Sequence, residues 1–198
     1  IREYNHQIVN AALAADVCVA DLFSQEIPFD TLDGTHPTAK GMDTLADAVK
    51  RGGGGETILL KDNITTEKSV SLTKNITLDL NGKTITGTDN ATGSFGLITN
   101  KGNLTINGEG AITLVATNDR DWNAYSSVIS NTVGGKLTVN GGTIEHLGGT
   151  DMAYGIDNLT NGKGTYAETI INGGTIKSTY RAIRQFLNGV EADNILTV

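Results

Sequence analysis

The spacing of apolar residues changes its rhythm near residue 51. Before that point Ile1, Tyr4, Ile8 and Ala12 recur at helical spacing, and Asp16 to Phe23 is a short apolar run of the buried-strand type. Thr38 to Arg51 then places Met42, Leu45 and Val49 on one helical face, so this part predicts helix, strand, loop, helix. Beyond it the chain repeats itself. Leu78-Asp-Leu80-Asn81-Gly82, Leu104-Thr-Ile106-Asn107-Gly108, Leu137-Thr-Val139-Asn140-Gly141 and Thr169-Ile-Ile171-Asn172-Gly173 share one pattern, followed by Ile85, Ile112, Ile144 and Ile176. Their asparagines lie 26, 33 and 32 residues apart. Between them Ile98, Ile129, Ile156 and Ile183 lead, two residues on, to Asn100, Asn131, Asn158 and Gln185. Two ladders at one irregular period, built from short strands and Gly/Asn turns, imply stacked coils that each add a rung of roughly 4.8 Å. The repeat predicts Leu80, Ile106, Val139 and Ile171 in one inward column. It predicts Asn81, Asn107, Asn140 and Asn172 above one another at a corner, where asparagine tolerates left-handed backbone and its amide can bond to the next coil.

Residues 56–198 therefore read as a right-handed parallel β-helix, C-terminally incomplete, since Thr197-Val198 falls short of the next Asn-Gly. This section resembles the pectin-lyase-like β-helix proteins, through architecture and not through a catalytic signature. Arg51-Gly52-Gly53-Gly54-Gly55-Glu56 marks the boundary, with 52–55 as a glycine linker. Twenty-five glycines, concentrated after residue 51, and 5% aromatic residues fit this two-module division better than a single compact sandwich. A net charge of -7 without any basic stripe argues against nucleic acid or an anionic membrane as partner. No apolar run approaches membrane-spanning length. Cys18, alone in the chain, reads as a small residue of the predicted strand rather than a reactive thiol or half of a disulfide.

Candidate chemistry centres on Asp33-Gly34-Thr35-His36-Pro37. His36 can take up a proton near neutral pH, and Asp33 is close enough in sequence to fix the imidazole tautomer and steady its charge. The plain alternative is a polar turn that starts a helix, with Pro37 in the first helical turn. Together with Tyr4-Asn5, the Val19-Ala-Asp-Leu-Phe23 strand and Gly41, this turn resembles the C-terminal end of the SGNH (GDSL-type) serine ester hydrolases. The resemblance covers residues 1–51. It implies a flavodoxin-like α/β/α sandwich in which Asp33 and His36 are the acid and base of the triad. The fold class expected is mixed: a partial α/β helix-strand-helix unit joined to an all-β parallel helix. That family carries its nucleophilic serine and oxyanion-hole residues earlier in the domain. Here Ser24 is the nearest serine to the dyad, and no Gly-x-Ser-x-Gly elbow occurs. The 198 residues are therefore expected to be a fragment inactive on esters alone, with residues 1–36 poorly supported because one strand cannot pair both its edges.

Within the β-helix, Asp119, Asp121, Asp151 and Asp157, with His146, Arg181 and Arg184, are the groups available for acid–base work. Asp157 and Arg184 follow Ile156 and Ile183, so they are expected as a solvated ion pair on the outer face. No cluster nominates a metal, and no cofactor is expected. Phe95, Tyr125, Tyr154 and Tyr180 precede the isoleucines of the second ladder by two to four residues, and Trp122 lies beside them in the polar loop Thr117 to Ser126. Aligned rings at Trp122, Tyr125, Tyr154 and Tyr180 could hold sugar rings, or could stack on one another as part of the core. Two functional readings result. One is a carbohydrate esterase fragment, secreted or at the cell surface, whose β-helix binds a carbohydrate or acylated polysaccharide or spaces the enzyme from a surface. The other is a non-enzymatic surface, adhesin or phage-fibre protein in which helix 38–51 is only an N-terminal cap. The sequence leaves the oligomeric state open.

Overall fold

The computed structural model describes residues 54–120, 123–132, 134–149, 151–160, 166–187 and 194–198. The helix-strand-helix pattern expected over residues 1–51, including Asp33, His36 and Cys18, lies outside them. The described residues contain strands and turns with no helix, and every strand pairing is parallel. The first coil holds β1 (Glu56–Leu59), β2 (Ile64–Thr66) and β3 (Val70–Leu72), and the second β4 (Ile76–Asp79), β5 (Lys83–Asp89) and β6 (Phe95–Asn100). The third holds β7 (Asn103–Asn107), β8 (Gly110–Ala116) and β9 (Ser126–Thr132), and the fourth β10 (Lys136–Val139), β11 (Thr143–Leu147) and β12 (Ala153–Thr160). The fifth has β13 (Glu168–Ile171), β14 (Thr175–Ser178) and β15 (Arg181–Leu187), and β16 (Ile195–Thr197) opens another. Each strand bonds to the one three places further along the chain. This gives a first sheet β1-β4-β7-β10-β13-β16, a second β2-β5-β8-β11-β14 and a third β3-β6-β9-β12-β15, which is a parallel β-helix.

The register explains why this sequence stacks. In the first sheet Ile58, Leu78, Ile106, Val139 and Ile171 lie in one column. The second sheet aligns Ile64, Ile85, Ile112, Ile144 and Ile176, and the third Val70, Ile98, Ile129, Ile156 and Ile183. These side chains form one core that is fully closed in the middle coils, where Ile106, Ile112, Ile129, Val139, Ile144 and Ile156 are each 0% exposed. Branched aliphatic side chains suit a pleated, doubly bonded position, and each fully buried one contributes about 1.5–3 kcal/mol.

One expected column is corrected. Leu78, not Leu80, pairs with Ile106, and Asp79, not Asn81, pairs with Asn107. The second coil spends two more residues on this corner than the fourth. Asp79 to Thr84 spans the same turn as Asn107 to Ala111 and Asn140 to Thr143, with Thr84, Ala111 and Thr143 in register. The extra length is a tight turn in which Lys83 N donates to Leu80 O at 2.8 Å while Asn81 and Gly82 both adopt positive φ, 49° and 71°. That is the turn geometry Asn-Gly favours. Leu80 is consequently tucked into the corner at 0% exposure, where a Cβ on Gly142 (φ 77°) would stand 2.6 Å from its Cδ1. The rest of the ladder forms as expected: Asn140 donates to Asn107 and Asn172 to Asn140, each at 2.8 Å.

The second asparagine ladder, Asn100, Asn131 and Asn158, is buried. Asn100 Nδ2 donates to Asn131 Oδ1 at 2.8 Å and to Lys136 O at 3.1 Å. Asn131 Nδ2 donates to Asn158 Oδ1 at 3.0 Å and to Glu168 O at 2.9 Å. Each amide thus ties its own coil to the strand that begins the coil after next.

Candidate functional site

The third sheet departs from simple alternation, and that departure builds a site. Leu97 and Ile98, and one coil later Val128 and Ile129, are consecutive residues that both belong to the core. In the next coil Gly155 faces inward beside Ile156, since a Cβ on it would lie 2.8 Å from Ile176 Cγ2. Two successive inward residues turn Tyr154 and Asp157, on either side of them, to the same outer face. Asp157 is in register with Ser130 and Arg184, and Tyr154 with Ser127 and Arg181.

Arg184 is the centre of this face. Its Nε donates to Asp157 Oδ1 at 2.7 Å and its Nη2 to Asp157 Oδ2 at 2.6 Å, while Nη1 lies 3.4 Å from the Tyr154 hydroxyl. The guanidinium carbon stands 4.3 Å from the Tyr154 ring centre, 4.8 Å from Phe186 and 5.1 Å from Tyr125. Tyr180 meets Tyr154 edge to face at 5.8 Å, and Arg181 covers Tyr180 at 4.8 Å. The expectation of a solvated pair is overturned, because Asp157 is fully buried and the Arg184 side chain is 9% exposed. Burial pushes the Asp157 carboxyl up, and Arg184 offsets part of that rise. Burial opposes the Arg184 charge, but the Asp157 hydrogen bonds and charge outweigh it and hold that group above its usual range. The bidentate geometry opposes the cost of burial for both charges.

Of the proposed sugar-facing rings, the structure brings Tyr125, Tyr154 and Tyr180 into this cluster, and Trp122 lies outside the described residues. Tyr154 is the support, fully covered, whereas Tyr180, Arg181 and Phe186 are open to solvent. Phe95 packs against the core instead. Phe186 was not singled out by sequence reasoning; its position two residues after Arg184 on β15 was the available signal.

A second polar cluster sits inside the coils. Asp89 ends β5, Arg120 lies in the β8–β9 connection, Ser126 starts β9 and His146 belongs to β11; none is more than 5% exposed. Ser126 Oγ donates to Asp89 Oδ2 at 2.5 Å, His146 Nε2 lies 2.8 Å from Ser126 Oγ, and Arg120 Nη2 lies 2.6 Å from Asp89 Oδ1. These are the residue types of a hydrolytic triad in the wrong order. The serine stands between the carboxylate and the imidazole, its proton committed to Asp89, so His146 cannot act as its base and no substrate could reach it. Burial drives the His146 pKa from 6.5 down to about 4, against the pull of Asp89. The remaining candidates, Asp119 and Asp151, are exposed, and Asp121 lies outside the described residues. Among the described residues no group of His, Cys, Asp or Glu is arranged to hold a metal, and no helix is long and apolar enough to cross a membrane.

No family model matches the chain, and neither a curated protein nor a solved structure matches it.

Proposed function

We propose that residues 56–198 form a right-handed β-helix of the pectin-lyase-like kind that binds a carbohydrate or acylated polysaccharide on the outer face of its third sheet. On this reading it is joined to the C-terminal end of an SGNH-type ester hydrolase, whose acid and base are Asp33 and His36. The observation that carries the binding half is the gathering of Tyr125, Tyr154 and Phe186 around Arg184, with Tyr180 edge-on to Tyr154 and Tyr180, Phe186 and Arg181 facing solvent. Aromatic faces accept the C–H faces of sugar rings, and a rigid ion pair beneath them keeps the rings in place without loss of side-chain freedom on binding. A secreted or cell-surface setting, where polysaccharide is met, belongs to the same reading.

Affinity electrophoresis of the whole chain through gels holding different polysaccharides tests the binding half. Tyr180→Ala and Phe186→Ala should each weaken retardation about threefold to tenfold, the range expected for one aromatic contact. Tyr166→Ala removes an exposed ring that takes no part in the cluster and should leave it unchanged. Undiminished retardation by the Tyr180→Ala/Phe186→Ala double variant would sink the assignment. For the hydrolase half, aryl acetate turnover by these 198 residues is expected to be absent, because His36 has no serine in a nucleophile turn to deprotonate. Turnover abolished by His36→Ala would show that a nucleophile is present after all.

A further inference from the structure

We propose that Asp89, Arg120, Ser126 and His146 form an acid-operated latch, which fixes the β8–β9 connection to the coil stack at neutral pH and releases it when His146 gains a proton. The latch joins three coils: Asp89 comes from the second, Arg120 and Ser126 from the third, and His146 from the fourth. Arg120 reaches from the connection into the interior, where its guanidinium meets Asp89 at 2.6 Å, and it also donates to Asn118 O at 3.4 Å. The far end of the connection is held by Ser126, through Asp89 and His146.

Charge balance makes the latch sensitive to acid. Asp89 and Arg120 cancel one another, and the Ser126 proton is directed at Asp89, so the imidazole donates through Nε2 to Ser126 Oγ. Its Nδ1 is buried and makes no well-formed hydrogen bond; the Gly148 backbone nearby favours a proton on the ring, but less than burial opposes it. A proton added there creates a net positive charge in an enclosed space beside Arg120, and among the described residues no second carboxylate is placed to receive it. The described elements around β11 supply none. Leu114 of β8 and Ser178 of β14 are its register neighbours, and Ser178 is engaged with Ala153 O at 2.8 Å. Glu145, on the same strand, is turned to Lys177, 3.7 Å away, and Asp157 of β12 is held by Arg184 on the outer face. The low proton affinity of His146 agrees with this geometry.

Release has a route outward. Tyr125 is the residue before Ser126, and its ring lies over the Arg184 guanidinium while its carbonyl accepts from Phe95 N at 2.8 Å. Inner latch and outer aromatic cluster are therefore one peptide bond apart, and loosening the first slackens the second. This coupling holds whatever the outer face binds.

The single tryptophan, Trp122, belongs to the β8–β9 connection and serves as the reporter. Titration of the whole chain from pH 7.5 to 3.5 should change its emission reversibly, with a midpoint between 6.5 and about 4, while the far-UV β signal persists. His146→Asn keeps a neutral donor but cannot titrate in this range, so it should abolish the transition or move it down by at least one pH unit. Glu145→Gln should leave it in place. Should His146→Asn not fold, imidazole NMR of the unaltered chain decides: one of its three histidines must titrate with the midpoint of the emission change. A transition retained in His146→Asn, loss of the β signal together with the emission change, no transition at all, or no histidine sharing its midpoint would each overturn the latch.

Discussion

Asp157 and Arg184 show how little a pair of charges reveals until its surroundings are known. On an open surface such a pair contributes well under 1 kcal/mol, but here both partners are withdrawn from water. Removing one partner leaves the other buried and uncompensated. Arg184→Met is therefore expected to cost about 3–5 kcal/mol in a denaturant melt, and adding Asp157→Leu should recover most of that loss. A double variant no more stable than Arg184→Met would mean that the pair is wetter than its geometry implies. His146 gives the opposite sign of pH dependence from a paired histidine. Its folded pKa, about 4, lies below the unfolded 6.5, so the unfolded chain binds the extra proton first. Stability is complete above pH 6.5 and falls as the pH drops toward 4. With the imidazole buried, that fall amounts to roughly 3 kcal/mol by pH 4. Denaturant midpoints at pH 7 and pH 4.5 for the unaltered chain and His146→Asn would check this. The variant should lose less on acidification.

At the scale of strands and turns, two asparagine ladders run up the same molecule and should behave differently. The ladder of Asn107, Asn140 and Asn172 is exposed, so water can replace any amide lost from it. Asn131 is fully buried and donates both to Asn158 and to Glu168 O. Asn131→Ala removes the buried amide that joins Asn100, Asn158 and Glu168 O and should cost about 2–3 kcal/mol, whereas Asn140→Ala should cost under about 1 kcal/mol. Equal losses in thermal or denaturant melts would contradict the distinction. Much of this architecture was legible in the sequence, because stacked coils repeat their inward residues: the Ile98, Ile129, Ile156, Ile183 series and the asparagines two residues beyond it fall in register as their spacing implied. Leu80 was misplaced because aligning on Asn-Gly assumes corners of equal length, and a turn that gains residues moves the motif without moving the strand. The site was less readable. Adjacent apolar pairs such as Val128-Ile129 signalled the break in alternation that turns Tyr154 and Asp157 to one side, but nothing local said that Tyr154 would be covered. Asp89 and His146 could have been found as polar residues at inward positions, in step with Ile85 and Ile144 on their own strands. Arg120, their partner, comes from a connection with no periodicity to read.

Across the whole molecule, strands pair only between neighbouring coils, so stability is distributed along the stack and not concentrated in one centre. The middle coils are closed on both sides, with Leu104, Ile106, Ile112, Ile129, Leu137, Val139 and Ile144 at 0–1% exposure. In the last coil Ile171, Ile176 and Ile183 are only half-buried, and Ile195 and Leu196 of β16 are 41% and 39% exposed. Side chains left partly exposed contribute less burial, so the strands that carry them are held less firmly than those of the sealed coils. Opening should therefore begin at β13–β16 and travel inward, with β7, β9 and β10 among the last to exchange. Native-state hydrogen exchange reads this directly: amides of Leu137 to Val139 should outlast those of Ile195 to Thr197 by several orders of magnitude. The same gradient predicts that Ile112→Ala, in a sealed coil, costs about 2–5 kcal/mol while Ile176→Ala, half-buried already, costs less. Uniform protection from β4 to β16, with equal losses for the two alanine variants, would mean that the stack unfolds as a single cooperative unit. The coil-by-coil account of its stability would then have to be given up.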